Sequence, residues 1–171
     1  EIEEGGRLYV PNIVFRGNRT FSRKELLKFT ETRPGTLFTR GKYDRRIFEK
    51  DLERLRMFYQ SKGHLDVKVT ERPFQITTNT PKSKWQRRDA YITLDIEEGD
   101  RYRVGRVDFE GNKLVETEKL RAMLKTLPGE IFSPMTIQED ANRIRDEYGR
   151  FPSSRYFTKA YGERILTPEG P

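Results

Sequence analysis

The sequence predicts an α+β fold built twice in tandem: two β-α-α-β-β units, each a three-stranded mixed sheet covered on one face by two antiparallel helices. Three observations predict it. A set of anchors recurs, so that Ile13-Val14-Phe15-Arg16-Gly17-Asn18 returns as Val107-Asp108-Phe109-Glu110-Gly111-Asn112, and Arg33-Pro34-Gly35-Thr36-Leu37-Phe38 returns as Leu127-Pro128-Gly129-Glu130-Ile131-Phe132. An apolar stripe at helical spacing, Phe48, Leu52, Leu55 and Tyr59, returns as Ile137, Ala141, Ile144 and Tyr148. In the first copy the period then changes from about 3.6 to 2. A repeated unit sets the architecture, so the repeat is read before anything else.

The first element is a short strand in which Ile13 and Phe15 alternate with Val14 and Arg16, ended by Gly17-Asn18, a pair that tolerates positive φ. Ser22-Arg23-Lys24-Glu25 has the spacing of a capping box, which starts a first helix carrying Leu26, Leu27 and Phe29 and ending before Pro34-Gly35. The stripe from Phe48 to Tyr59 predicts the long helix, with Asp44, Arg45, Glu49, Lys50, Glu53 and Arg54 outside the stripe. Gly63 suits the left-handed residue that closes it.

From Leu65 the alternation reads as a strand, with Leu65, Val67 and Val69 on one side and Asp66, Lys68 and Thr70 on the other. A polar stretch over residues 72–89 predicts a long loop. Ile92, Leu94 and Ile96, opposed by Tyr91, Thr93 and Asp95, then form the hairpin partner. Glu97-Glu98-Gly99-Asp100 turns the chain, and residues 102–109 lead into the second copy without a Gly/Ser linker.

In the second copy Leu120, Met123, Leu124 and Leu127 mark the first helix, Ser133-Pro134 supplies an N-cap and a first-turn proline for the next, and Gly149 caps that helix. Residues 155–161 read as a strand, with little after them before Pro168-Glu169-Gly170-Pro171. The expected division is residues 1–99 for the first domain with an N-terminal extension, and 100–171 for the second, lacking its last strand.

A chain of 171 residues with 33% hydrophobic and 36% charged residues is too lean for one large core and fits two small domains. The absence of cysteine excludes disulfides, thiol catalysis and cysteine-ligated zinc. Neither an apolar run long enough to span a membrane nor a signal peptide lies within these residues. The net charge of +7 favours anionic partners without choosing among nucleic acid, lipid and acidic protein. His64, the one histidine, has no second imidazole for a metal site and no nucleophile or carboxylate constellation around it. Neither catalytic residue, metal nor cofactor is expected.

Over residues 8–160 these motifs taken together resemble the POTRA (polypeptide-transport-associated) domains of the BamA superfamily of outer-membrane assembly proteins. The resemblance rests on the apolar-x-Phe-x-Gly-Asn start of both units, the Pro-Gly-x-x-Phe turn, the Leu/Ile-x-x-x-Tyr helix end and Tyr59-Gln60-Ser61-Lys62-Gly63 before a strand. Residues 96–104 look like a junction between consecutive units. His64 in place of an aromatic residue, the long loop over 73–89 and the unfinished second unit depart from the pattern.

The resemblance implies a periplasmic module tethered to the outer membrane by a C-terminal β-barrel outside this chain. Its partners would be unfolded outer-membrane or translocated polypeptides and accessory assembly proteins, with no nucleic acid. Clients would pair with an exposed sheet edge, a mode that gains backbone hydrogen bonds without reading client sequence. The edge implied is the second strand, Leu65, Asp66, Val67, Lys68, Val69, Thr70 and Glu71.

The basic loop Lys82, Lys84, Trp85, Arg87 and Arg88 is a candidate contact for an anionic membrane surface or a partner, although a solvated loop is the plainer reading. An unpaired edge in the second unit would permit self-association. The alternative class, resting on charge alone, is a basic α/β nucleic-acid-binding module. RNA-recognition folds stack bases on central-strand aromatics, and the alternating strand over residues 91–96 offers Tyr91 only.

Overall fold

The computed structural model describes residues 8–36, 41–73, 75–79, 87–150 and 166–168. Within them the order is β1 (Leu8–Tyr9), β2 (Ile13–Arg16), α1 (Arg23–Leu26) with a 3-10 turn (Leu27–Phe29), α2 (Arg45–Ser61), β3 (Lys68–Glu71), β4 (Gln75–Asn79), β5 (Arg87–Glu97), β6 (Tyr102–Val104), α3 (Thr117–Ala122), α4 (Pro134–Gly149) and β7 (Leu166–Pro168). The chain divides into one unit of Glu1–Tyr59 with Asp66–Gly99 and another of Gln60–Leu65 with Asp100–Pro171.

In the first unit β5 is the central strand. On one side it pairs in parallel with β1 at Arg88–Asp89 and with β2 over Ile92 to Asp95. On the other it pairs antiparallel with β3 over Leu94 to Glu97 and with β4 over Arg87 to Tyr91. Each flanking pair is one interrupted strand. Between Glu71 and Gln75 the chain spends one residue more than β5 does between Tyr91 and Leu94, and Pro73 stands there. Pro11 occupies the matching break between β1 and β2. Proline cannot donate to a ladder, so an interruption with an extra residue is where a strand tolerates it.

The alternating residues of β5 explain which face the helices cover. Ala90, Ile92, Leu94 and Ile96 are buried, joined by Ile13, Phe15, Val67 and Val69 from the neighbouring strands and by Leu26, Phe48, Leu55 and Tyr59 from the helical layer. A side chain of the size of Phe48 or Leu55 contributes about 1.5–3 kcal/mol when fully buried. Those two residues and Tyr59 are at 1% exposure or less, which makes the stripe of α2 the main anchor of this layer. Ser22 caps α1, accepting from Glu25 N at 3.3 Å while the Glu25 carboxylate accepts from Ser22 N at 2.9 Å. The Ser22 hydroxyl, before its own backbone N–H, holds the Glu25 carboxyl below its ordinary range. The helix is shorter than expected, giving way to a 3-10 turn at Leu27.

The second unit repeats a hydrogen-bond pattern of the first. In the first, Val10 N donates to Gly41 O at 2.8 Å, Gly35 N to Val10 O at 2.8 Å and Tyr43 N to Leu8 O at 3.0 Å. In the second, Val104 N donates to Glu130 O at 2.9 Å, Gly129 N to Val104 O at 2.7 Å and Phe132 N to Tyr102 O at 3.0 Å. The Pro-Gly anchors therefore carry the turn that clamps the first strand of each unit. Ser133 accepts from Thr136 N at 3.3 Å and Pro134 opens α4, as expected.

Four expectations are corrected. Residues 107–109 do not form a strand: β2 exists because β5 takes its main-chain groups, and no strand among the described residues stands beside 105–110. Instead Arg106 and Asp108 form a local ion pair at 2.6 Å. Gly149 is the last residue of α4, and Arg150 caps it in right-handed conformation at φ −75°. The stripe Ile137, Ile144 and Tyr148 is only half-buried and Ala141 is exposed; among the described residues the second unit's strands are β6 and β7, paired antiparallel. Residues 72–89 are not one loop, since β4 and the start of β5 lie within them. The expected strand over residues 155–161 lies outside the described residues.

Candidate binding edge of the first unit

The second strand expected from the alternation begins later than the pattern does. Leu65 and Asp66 lie in a turn, Val67 is buried ahead of the strand, and β3 proper runs from Lys68. Gly99 packs against this turn, where an added Cβ would come within 3.2 Å of the Asp66 Cβ. Within β3, Val69 faces the core, Lys68 and Thr70 are exposed, and Glu71 is half-buried.

The ladder fixes which backbone groups face outward. Arg72 N donates to Thr93 O at 3.0 Å. Bonded and non-bonded pairs alternate in an antiparallel ladder, so Thr70↔Asp95 and Lys68↔Glu97 are bonded pairs, while Val69 and Glu71 turn their main-chain groups away from β5. Among the described residues no strand lies on that side of β3 or of β4.

Side chains already occupy part of it. Arg56, on α2, reaches over the edge and donates from Nη2 to the outward carbonyl of Val69 at 3.0 Å, while its Nη1 donates to Glu53 at 3.0 Å. Arg45 Nη1 donates to the Glu71 carboxylate at 3.0 Å and its Nε to Glu49 at 2.8 Å, an arrangement that raises the Arg45 pKa through Glu49, then Tyr43 and Glu71. Lys68 pairs with Glu97 at 3.2 Å and Arg72 with Asp95. Both members of the Lys68 pair are largely exposed, so that bridge contributes little to stability. Its effect is to lay charge along the edge, which discourages unselective pairing.

β4 differs from β3 in its composition and exposure. Its residues, Gln75-Ile76-Thr77-Thr78-Asn79, are all uncharged, and all five pair with β5. Gln75, Ile76 and Thr77 are exposed, Ile76 at 46% although its register partner Ala90 is fully buried.

Of the basic cluster, Lys82, Lys84 and Trp85 lie outside the described residues. Arg87 and Arg88 are corrected from loop to strand: both belong to β5, opposite Asn79 and Thr78. Their polarity hid the strand, and buried Asp89 beside them shows that polar residues here are drawn into the sheet.

The end of α2 is held near the turn that follows β5. Tyr59, fully buried, donates its hydroxyl to Glu98 Oε1 at 3.0 Å, and Thr20 donates to the same carboxylate from its N at 3.0 Å and its Oγ1 at 2.8 Å. Burial, then the Glu98 charge, pushes the Tyr59 phenol well above the usual tyrosine range. His64 is buried at the close of α2. No group of His, Cys, Asp and Glu among the described residues is placed to hold a metal, and no helix among them is long and apolar enough to cross a membrane.

Neither the role of Arg56 nor the strand β4 is among the features expected from the sequence. Arg56 was invisible because its partner is a backbone carbonyl thirteen positions on, which leaves no mark in residue types. β4 did carry a signal, an uncharged Ile-Thr-Thr core of high strand propensity between Pro73 and Pro81.

A family model described as POTRA, surface antigen variable number repeat, matches residues 8–99 and 102–151. The outer membrane protein assembly factor BamA of Neisseria meningitidis serogroup B is 27% identical over 98% of this chain and 20% of its own length. BamA of Nitratidesulfovibrio vulgaris is 22% identical over 88% of this chain and 19% of its own length. The chain thus spans about a fifth of the length of the curated relatives it matches. Among solved structures, Haemophilus influenzae BamA POTRA3-5 matches with a TM-score of 0.55 and 23% identity, covering 84% of this chain and 54% of that one. With the repeated turn clamps, the mixed sheet and these matches together, the chain belongs to the POTRA family, as two such domains in tandem of the BamA superfamily.

Proposed function

We propose that this POTRA pair is a periplasmic scaffold module of a protein that assembles β-barrels in the outer membrane or moves polypeptides across it. Family membership and the assembly-factor relatives support the scaffold role. The observation that carries the mode of action is the free side of the first unit's sheet, where β3 and β4 pair with β5 alone among the described residues. An unfolded client adds a strand there, gaining main-chain hydrogen bonds that do not depend on its sequence. On this reading residues 65–71 belong to the client-binding edge, accessory proteins dock elsewhere on the two units, and the basic segment Lys82, Lys84, Trp85, Arg87 and Arg88 contacts anionic headgroups.

The test is a titration of isotope-labelled chain with a peptide copied from an outer-membrane barrel strand. Client capture predicts concentration-dependent shifts of amides in residues 67–71 or 75–79. Unmoved amides along both stretches would remove the mode of action. A steeply salt-dependent affinity for single-stranded RNA would favour the nucleic-acid reading that the net charge of +7 keeps in view.

A further inference from the structure

The two halves of the free edge are built for different work. β3 carries Lys68 and Glu71 and has the central outward carbonyl, that of Val69, already taken by Arg56 at 3.0 Å. An incoming strand must displace that guanidinium before it can bond there. β4 has no charge in five consecutive residues, in a chain where 36% of residues are charged. Edge strands are ordinarily protected by lysine, by an inserted proline, by a bulge or by a covering segment. In β4 the prolines stand outside, at positions 73 and 81, and among the described residues no strand pairs with its outer side.

We propose that β4, Gln75–Asn79, is the strand-acceptor site of the first unit and that its occupant is an extended, uncharged segment of another polypeptide with acidic flanks. The inference rests on the strand-addition reading and relocates it from β3 to β4. An uncharged central stretch suits the occupant because a charged residue opposite Gln75, Ile76 or Thr77 would find no counter-charge in β4, and an apolar residue covers Ile76, now 46% exposed. Acidic flanks follow from the charges at the ends of β4. Arg72 precedes it, shared with Asp95, while Arg87 and Arg88 stand opposite its far end, and the whole chain carries +7. The same charge argues against a second copy as the occupant, since two chains of +7 repel on approach.

The experiment compares two synthetic peptides against the whole chain by calorimetry and by amide shifts. Each has a central run of alternating valine and threonine; one is flanked by aspartates and the other by lysines. The aspartate-flanked peptide is expected to bind at least about tenfold more tightly, with shifts concentrated in residues 75–79. Thr77→Lys, which places a charge on the exposed edge, is expected to weaken binding about tenfold or more, and Thr70→Lys in β3 to leave it within about twofold. Circular dichroism confirms that both variants fold.

If Thr70→Lys weakens binding and Thr77→Lys does not, β4 is not the acceptor while strand addition at β3 survives. If neither peptide binds wild-type chain and the outer-membrane barrel peptide also fails, strand addition itself fails. Equal binding of both peptides overturns the acidic-flank assignment. Shifts in residues 75–79 that grow with protein concentration alone identify a second copy as the occupant instead.

Discussion

Asp51 and Asp140 hold the same place in the two units. Each sits on the long helix, at 0% and 4% exposure, and accepts two consecutive backbone N–H groups from the segment that follows the short helix. For Asp51 the donors are Glu31 N at 2.7 Å and Thr32 N at 2.8 Å; for Asp140 they are Lys125 N at 2.9 Å and Thr126 N at 2.8 Å. An arginine one turn on completes each set, Arg54 at 2.9 Å and Arg143 at 2.7 Å. The repeat therefore extends from apolar anchors to a buried carboxylate that fastens the loop between the two helices.

Removing the carboxylate leaves two N–H groups and a guanidinium without their acceptor. Asp51→Ala is expected to lower unfolding stability by roughly 2–4 kcal/mol, and Asp51→Asn by less, since one amide oxygen still accepts. Urea denaturation measures both. A loss below about 0.5 kcal/mol for the alanine variant would mean that water replaces the carboxylate without penalty.

Asp140 adds a dependence on pH. Burial favours its protonated form, but the N–H groups of Lys125 and Thr126 and the charge of Arg143 outweigh burial and hold the carboxyl below its ordinary value of 3.8. A depressed folded value means that the unfolded chain binds the proton first as pH falls. The contribution to stability is therefore present above pH 3.8 and disappears as pH drops through the lower folded value. Asp140→Asn is expected to flatten the acid limb of the stability curve; an unchanged limb would assign that limb to other carboxylates.

Gly17 and Gly129 separate two reasons for a glycine. Both have positive φ, +81° and +87°. A Cβ at Gly17 would lie 2.1 Å from the Ile96 carbonyl oxygen, whereas nothing lies within 4 Å of one at Gly129. Gly129→Ala is expected to cost about 1 kcal/mol for the backbone conformation alone, and Gly17→Ala several times that, because β2 and β5 must separate. Comparable thermal shifts for the two variants would contradict the close approach.

What could be read in advance followed from local rules. The capping box at Ser22, the cap at Ser133-Pro134 and the stripe of Phe48, Leu55 and Tyr59 each depend on residues a few positions apart, and each is present. The features that escaped are long-range or polar. Asp51 lies one residue before the stripe position Leu52 and looks like any helix acid; only its recurrence as Asp140, each followed three positions later by arginine, marked it. The start of β5 at Arg87-Arg88-Asp89 reads as soluble loop because its strand partners, β1 and β4, are distant in sequence or unmarked by apolar alternation. The strand expected at 107–109 is absent although its local pattern repeats that of β2, so the pattern by itself does not make a strand.

Tyr59 predicts behaviour in alkali. Its hydroxyl proton is held by Glu98 in a buried setting, so the folded phenol ionises above the ordinary value of 10.0 that applies to the unfolded chain. The sign follows: the contribution is complete below pH 10.0 and is lost as pH climbs from there toward the folded value. Tyr59→Phe is expected to cost about 1 kcal/mol at neutral pH and to lessen the decline above pH 10. An unchanged alkaline decline would show that the other tyrosines set it.

Arg56 should act on the edge rather than on the core. Its guanidinium caps the Val69 carbonyl from a partly exposed position, so Arg56→Ala hands that carbonyl to water at a cost under about 1 kcal/mol. What changes is competition. With the cap gone, an incoming strand seated on β4 meets a vacant carbonyl if it continues along β3, and each added pair lengthens the ladder. The aspartate-flanked peptide, extended by several residues past its valine-threonine run, is therefore expected to bind Arg56→Ala about threefold to tenfold more tightly than wild type. Amides in residues 67–71 should then join those in 75–79 among the shifted set. Lysine at position 56 should restore part of the block, since an ammonium can still reach the carbonyl but not bridge it to Glu53 in a fixed plane. If the shifted set is the same in wild type and Arg56→Ala, the arginine does not guard β3, and the charges of Lys68 and Glu71 alone keep that half of the edge closed.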